Sequence, residues 1–156
     1  MDAASLRHAV SHFGSGITIV TGLDDAKPLG FTCQSFFSLS LEPALVSFAP
    51  ARTSTTWPAI RQLETFAVNV LAEHQAGHST AFSRSGTDKF AGIAWTPGER
   101  GAPHLDDALA VFDCRLWAEY DGGDHTIVAA EVLDFHLGPT AGPLLYYKSA
   151  YASVHP

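Results

Sequence analysis

Positive charge is scarce in this chain of 156 residues, which has nine Lys and Arg residues against 16 Asp and Glu and a formal net charge of −7 at pH 7. A nucleic-acid binder needs clustered Lys and Arg to displace the counterions of the phosphates. The same shortage disfavours adhesion to an anionic membrane surface. We therefore expect neither a nucleic-acid partner nor a membrane partner, although a local site for one small anion stays open.

Cysteine and long apolar runs are also scarce. Cys33 and Cys114 lie far apart and outside any CxxC or Cys/His zinc pattern, so reduced thiols in a reducing compartment are expected. No apolar run approaches the roughly 20 residues that span a bilayer, and residues 1–12 lack the apolar centre of an export signal. These absences predict a cytoplasmic protein.

Several common catalytic motifs are missing. Gly14-Ser15-Gly16 is followed by Ile19 where a dinucleotide-binding fingerprint has its third glycine, and by a predicted strand instead of a helix. The chain has no Walker A, GxSxG or HExxH motif. His74 and His78 are four residues apart, but two imidazoles without a third ligand do not make a zinc site, and we predict no metal.

What is present indicates one folded domain, residues 1–156, because 46% of the residues are hydrophobic and 16% are charged. Helical spacing predicts helices at residues 5–13, capped by Ser5, at 53–63 and at 73–82. Runs of β-branched and aromatic residues predict strands. They cover residues 17–21, 29–34, 44–49, 66–71, 108–120, 126–137 and 143–147, and residues 83–100 form a long irregular stretch. Without β–α alternation, the pattern predicts a mainly β, antiparallel barrel with a few short helices.

Two polar segments are candidate binding elements. Residues 30–36 combine hydroxyls with aromatic side chains in a predicted strand, which suits a flat ligand with polar edges; a Ser-rich strand end and turn explains them equally well. Residues 51–56 place one Arg and several hydroxyls at the end of a strand and the start of a predicted helix, as in many phosphate sites. Ordinary helix capping beside a solvated Arg52 is the alternative.

Seven short segments occur along the whole chain in an order that resembles the flavin reductase-like family of FMN-binding split barrels. Members of this family serve as reductase components of two-component flavin-dependent monooxygenases. The segments are FGSGITIVT at residues 13–21, GFT with SF at 30–36, RTSTT at 52–56, FAVNVL at 66–71, DKF at 88–90, GDH at 123–125 and PLLYY at 143–147. Each is weak alone, and their ordered set carries the resemblance.

The resemblance implies a homodimeric, antiparallel split β-barrel with the isoalloxazine ring near the dimer interface. It implies a role for eleven residues. Thr32, Cys33, Gln34 and Ser35 face the flavin ring and ribityl chain; Arg52, Ser54, Thr55 and Thr56 hold the phosphate, with Lys89 as a further contact; His125 projects toward the nicotinamide as the catalytic residue; and Tyr147 closes the pocket. From charge pattern alone, Lys89 reads as a solvated loop lysine.

The implied activity is that of an NAD(P)H:flavin oxidoreductase, in which NADH or NADPH reduces FMN or FAD and the reduced flavin passes to a partner monooxygenase. Two alternatives stay open: a flavin-binding or electron-relay protein without turnover, and a related split barrel that holds haem or a pyridoxal-type cofactor. The chain departs from commoner members at Cys33, Gln34 and Trp57. We expect Gln34 to add a contact to the ring edge and Trp57 to narrow the groove.

Overall fold

The computed structural model describes residues 1–155, which form three short α-helices and twelve strands. The helices are α1 (Ala3–Val10), α2 (Trp57–Ile60) and α3 (Ala76–Phe82), the last preceded by a 3₁₀ turn, Glu73–Gln75. The strands are β1 (Ser15–Gly16), β2 (Thr18–Asp24), β3 (Lys27–Cys33), β4 (Phe37–Leu41), β5 (Ala44–Phe48), β6 (Phe66–Val70), β7 (Trp95–Pro97), β8 (Pro103–Leu105), β9 (Ala110–Gly122), β10 (His125–Leu137), β11 (Leu145–Tyr147) and β12 (Ala150–Ala152). Within this part of the chain no helix is long and apolar enough to cross a bilayer.

Seven strands form one antiparallel sheet in the order β3-β2-β6-β9-β10-β5-β4. Its two edge strands, β3 and β4, are consecutive in the chain and are joined by residues 34–36 alone. So short a connection spans at most about 15 Å, and the sheet must therefore curl until its edges approach each other. The prediction of a mainly β, antiparallel split barrel with a few short helices is confirmed.

Two smaller sheets lie beside the barrel. β11 pairs with both β1 and β12, and β7 pairs with β8. The longest hairpin, β9–β10, turns tightly between Gly122 and His125. Gly123 has φ +76° there, a left-handed conformation that glycine adopts without steric penalty. This turn brings His125 back beside the end of β5, where it bridges to Ala51.

The larger core cluster packs aromatic rings edge to face inside the barrel. Trp57 is 4% exposed, and its ring centroid lies 5.3 Å from that of Phe48 and 5.6 Å from that of Phe66. Its indole Nε1 donates to Glu119 at 3.3 Å, as buried indoles require. The expectation that Trp57 narrows the ligand groove is therefore wrong, because this side chain fills the core.

Two helix predictions need correction at their ends. α1 begins at Ala3 because the carboxylate of Asp2, not the hydroxyl of Ser5, caps it and accepts the amide of Ser5 at 2.9 Å. The helix predicted over residues 53–63 is only α2, four residues long. Ser54 Oγ accepts the amide of Trp57 at 3.1 Å, so residues 53–56 form a turn held by a side chain instead of a first helical turn.

Candidate functional site

A cavity of about 430 Å³ opens beside the ends of β3 and β5. Four stretches far apart in sequence line it, within residues 31–35, 49–56 and 82–89 and at His125. Its size lies within the range of small-molecule sites. Nine of the eleven predicted site residues line it, and the other two, Arg52 and Tyr147, do not. The nine are Thr32, Cys33, Gln34, Ser35, Ser54, Thr55, Thr56, Lys89 and His125.

The end of β3 and the connection to β4 form one wall. Side chains alternate along β3, so Cys33 packs into the core while Thr32 points to the other face and donates to the carbonyl of Ser79 at 2.7 Å. Gln34 is exposed and its amide nitrogen lies 3.1 Å from Ser15 Oγ. Ligand contact in this wall therefore falls to Thr32, Gln34 and the backbone around Cys33.

Ser35 fastens this wall to the end of β5. Its hydroxyl accepts the amide of Ala49 at 2.7 Å and lies 3.1 Å from Cys33 Sγ. Burial raises the pKa of the Cys33 thiol above its ordinary value. The thiol is therefore protonated at neutral pH, and Cys33 is a packing residue instead of a nucleophile.

Hydroxyls and one ammonium group meet at another part of the cavity. Ser54, Thr55 and Thr56 follow β5, and Lys89 reaches them from the irregular stretch after α3. Lys89 Nζ lies 3.4 Å from Thr56 Oγ1 and 3.0 Å from the carbonyl oxygen of Gly30. Burial lowers the pKa of Lys89 because removal from water disfavours the charged form. A hydroxyl-lined pocket with a half-buried cation is suited to an anion.

The guanidinium of Arg52 turns away from these hydroxyls. Its Nε donates to the carbonyl of Gly123 at 2.7 Å, and Nη2 forms an ion pair with Asp121 at 2.6 Å. The backbone amide of Arg52 also donates to the carbonyl of Asp124 at 2.9 Å. The β9–β10 turn thus satisfies Arg52, which explains why the structure does not bring its side chain into the cavity.

His125 enters the cavity from that same turn, with its side chain about half exposed. Its Nδ1 lies 2.7 Å from Asp124 Oδ1. The hydrogen bond from His125 lowers the pKa of Asp124, so the carboxylate is ionised and accepts from Nδ1–H. This fixes the ring and leaves Nε2 for a ligand.

Tyr147 lies on β11 in the three-stranded sheet, next to Gly14 and beneath the ammonium of Lys148, which is 5.4 Å from its ring centroid. It is 43% exposed. Tyr146 packs instead against the smaller core cluster, with its ring 5.5 Å from that of Tyr151. The two tyrosines therefore have different surroundings, and neither lines the cavity.

Three further polar residues line the cavity that the sequence did not single out as contacts. They are Thr53, Ser83 and Ser85. The signal for the two serines was available, since they begin the irregular stretch predicted from residue 83, and long loops in compact domains are often functional.

The fold and the cavity are those of a barrel protein whose pocket suits a polar, anionic small molecule. A family model described as "Flavin reductase like domain" matches residues 10–155, and the chain belongs to this family. The resemblance drawn from the sequence is confirmed.

Named relatives agree with this assignment. The chain is 43% identical over 156 residues to the reductase subunit HsaB of a flavin-dependent monooxygenase from Rhodococcus jostii, covering 100% of this chain and 80% of that relative. Among solved structures, nitrilotriacetate monooxygenase component B from Mycobacterium thermoresistibile superposes with a TM-score of 0.95 at 40% identity, covering 98% of this chain and 87% of the other. The NADH:FAD oxidoreductase SgcE6 from Streptomyces globisporus, in complex with NAD and FAD fragments, superposes with a TM-score of 0.94 at 33% identity over 99% and 94% of the two chains.

Proposed function

We propose that this chain, an NAD(P)H-dependent flavin reductase, binds FMN or FAD in the cavity beside the ends of β3 and β5 and delivers the reduced flavin to a separate monooxygenase. One observation carries the proposal: a single cavity brings together the polar segment at residues 32–35, the hydroxyl cluster with Lys89, and His125. Together these groups suit a ligand that carries both a ring with polar edges and a phosphate.

The phosphate end of the cavity fits its proposed ligand electrostatically. An ammonium group withdrawn from water is unfavourable unless an anion compensates it, and the lowered pKa of Lys89 reports that burial. We assign the phosphate to Lys89 with Ser54, Thr55 and Thr56, whose hydroxyls supply the remaining donors. Arg52 supports the site without contacting the ligand, because its hydrogen bonds to Asp121 and Gly123 hold the turn that carries His125.

The ring end lies against residues 32–35. A bound flavin supplies the hydride-accepting ring, and the nicotinamide supplies the hydride. The chain's part is to hold the two rings about 3–3.5 Å apart and to donate hydrogen bonds to the negative charge that develops. We assign Gln34 and the backbone of residues 32–35 to the flavin, and His125, held by Asp124, to the nicotinamide side. No nucleophile is needed.

We further propose that the whole chain forms one domain and works as a homodimer. Large apolar side chains are exposed on β4, on the β9–β10 hairpin and on β11, and such surface is usual where a partner binds. They include Phe37, Leu39, Trp117, Ile127, Phe135 and Tyr147. A cytoplasmic location suits a protein that consumes NAD(P)H and has two free cysteines.

Steady-state oxidation of NADH and of NADPH, each with FMN, FAD or no flavin, tests the activity. We expect turnover only when flavin is bound or added. Oxidation that persists at full rate after flavin has been removed contradicts the assignment. The same assay, followed by addition of a flavin-dependent monooxygenase in a separate chamber behind a dialysis membrane, tests whether reduced flavin leaves the protein to serve the partner.

A further inference from the structure

Two histidines and one aspartate converge on a second place in the barrel, where none of the flavin-site residues lies. His104 is on β8, Asp113 on β9 and His136 on β10. One nitrogen from each imidazole and one carboxylate oxygen all lie within 4.8 Å of one another. Nε2 of His104 is 2.8 Å from Asp113 Oδ1, and Nε2 of His136 is 3.4 Å from Asp113 Oδ2.

The strand register builds this cluster. Asp113 pairs with Asp134, and Val111 pairs with His136, so alternation along the strands places Asp113 and His136 on the same face of the sheet. β8 crosses this face, where the amide of Leu105 donates to Asn69 Oδ1 at 2.8 Å. His104, the preceding residue, thereby comes over Asp113.

Two polar atoms of the cluster lack a hydrogen bond within the described part of the chain. Asp113 is 1% exposed, and its Oδ2 and the Nε2 of His136 are both buried without a hydrogen-bond partner among residues 1–155. A buried carboxylate oxygen without a donor is strongly unfavourable. Asp134 faces the same side of the sheet and adds a second acidic group. The arrangement therefore attracts a cation.

Gly98 packs closely against one of the imidazole rings. A Cβ built at Gly98 would overlap Nε2 of His104, so any residue larger than glycine would displace the imidazole. On the solvent side, the side chain of His136 is 42% exposed, whereas that of His104 is 15% exposed. An ion can thus enter past His136 and reach the buried carboxylate.

We propose that His104, Asp113 and His136 bind a divalent transition-metal ion, best matched by Zn²⁺. Two imidazoles and a carboxylate are its usual ligands, and a tetrahedral site with bonds of 2.0–2.2 Å has ligand atoms about 3.3 Å apart. The distance from each Nε2 to its nearer oxygen of Asp113 is 2.8 Å for His104 and 3.4 Å for His136, on either side of that value. Each ligating Nε2 must be unprotonated, so its imidazole carries its proton on Nδ1. Water completes the shell.

Such an ion ties β8 to the long β9–β10 hairpin and so fastens the two-stranded sheet onto the barrel. The sequence predicted no metal because the pair it offered was His74 and His78. Those two lie on the 3₁₀ turn and α3, without a third ligand among residues 1–155. The positions of His104, Asp113 and His136 in the sequence match no metal-binding motif, because the three residues come from three different strands.

Binding is tested on the full chain after dialysis against a chelator. Zn²⁺ is titrated by calorimetry and by competition with a chromophoric chelator, and Co²⁺ is followed by its visible absorption. We expect one equivalent per chain and the strong Co²⁺ bands of a four-coordinate site. His136→Gln and Asp113→Asn should each weaken Zn²⁺ binding by more than about tenfold. Loss of a residue that only supports a metal ligand already weakens binding by about that factor, and loss of a ligand itself should cost more. Gly98→Ala should weaken it by displacing His104.

The matched control is the double variant His74→Gln/His78→Gln, which removes two imidazoles of comparable or greater exposure and should keep full Zn²⁺ affinity. Zn²⁺ should raise the Tm of the native chain and of this control but not that of His136→Gln. Because Asp113 is buried, its replacement also disturbs the packing of the core, and His136→Gln at the more exposed ligand decides the outcome. Absence of stoichiometric binding to the native chain overturns the proposal, and so does binding that keeps its full affinity in His136→Gln.

Discussion

Lys89 Nζ lies 3.0 Å from the carbonyl oxygen of Gly30, which attaches the irregular stretch after α3 to the strand that forms one wall of the cavity. Glycine is required at this position, because a Cβ there would lie 2.6 Å from the ring of Phe82. The absence of a side chain thus lets Phe82 pack against β3 and brings the segment with Lys89 close to Thr56. Both contacts determine where a charged ligand group can be held.

Replacing Lys89 by Gln should weaken FMN binding by roughly ten- to a hundredfold, the value of a hydrogen bond to a charged group. Riboflavin, which lacks the phosphate, should bind the variant and the native chain equally well. Fluorescence titration measures both affinities. Lys148→Gln is the control, since Lys148 is exposed and lies over the ring of Tyr147. Equal losses of FMN and riboflavin affinity would place Lys89 away from the phosphate.

The FMN affinity should also fall as the pH rises through the alkaline range. Burial lowers the pKa of Lys89 from its ordinary 10.5, so its positive charge is present below the lowered pKa and is lost as the pH rises through it. FMN binding should therefore begin to weaken at a lower pH than it would if the lysine at the phosphate site were exposed and had an ordinary pKa. Titrations across this range should show the decline for the native chain with FMN, and a flat profile for Lys89→Gln or for riboflavin.

Replacing His125 by Ala should reduce the rate of NAD(P)H oxidation by about tenfold to a hundredfold, because misplacement of the nicotinamide by about 1 Å has effects of that size. Flavin affinity should stay the same. Asp124→Asn should have a smaller effect, since an amide oxygen still accepts from Nδ1–H of His125. Stopped-flow kinetics measure the rate of flavin reduction separately from flavin binding in both variants. An unchanged rate in His125→Ala would remove this residue from the mechanism.

The two cysteines should be inert in the folded protein. Cys33 is 5% exposed and Cys114 is fully buried, and burial raises the pKa of both thiols; the charge of Asp113 adds to the effect at Cys114. Reactivity requires the exposed thiolate. A thiol-specific chromogenic reagent should therefore label neither residue until denaturant is added, and then both. Rapid labelling of one equivalent under native conditions would contradict this expectation.

Asn69→Ala should destabilise the fold by about 3 kcal/mol or more, because each buried group left without its partner costs about 1–3 kcal/mol. The amide nitrogen of Asn69 donates to Ile19 O and Thr21 Oγ1, both at 3.0 Å, and its oxygen accepts from the amide of Leu105 at 2.8 Å. Urea unfolding measures the change. Gln62→Ala removes an exposed amide and should change the free energy of unfolding little.

Much of the fold was predictable because long strands carry a strong local signal. The hairpin expected over residues 108–120 and 126–137 is observed as β9 and β10, Ala110–Gly122 and His125–Leu137. β4 was missed because its serines resemble a turn, although Phe37, Leu39 and Leu41 alternate with them as in a strand. Its stability comes from pairing with β5, which composition cannot reveal.

The site shows the same division. Hydroxyl-rich segments and the ordered motifs located nine cavity residues, because those signals are local. The sequence did not predict that the Arg52 side chain turns away from the cavity, because its carboxylate partner, Asp121, is 69 positions away in the chain. Trp57 was misjudged for a similar reason: its core neighbours Phe48 and Phe66 lie on two different strands, and no local pattern tells that the indole fits between them.

The assembly of the cavity from four distant stretches, within residues 31–35, 49–56 and 82–89 and at His125, has a consequence for the order of events during refolding. Isolated hairpins hold only one or two of these stretches, and no partial chain that ends before β10 contains them all. Flavin binding must therefore come after the ends of β3 and β5 and the start of β10 have been brought together. The appearance of flavin binding during refolding thus reports when the native arrangement of these strands is complete, and no label needs to be attached to the protein.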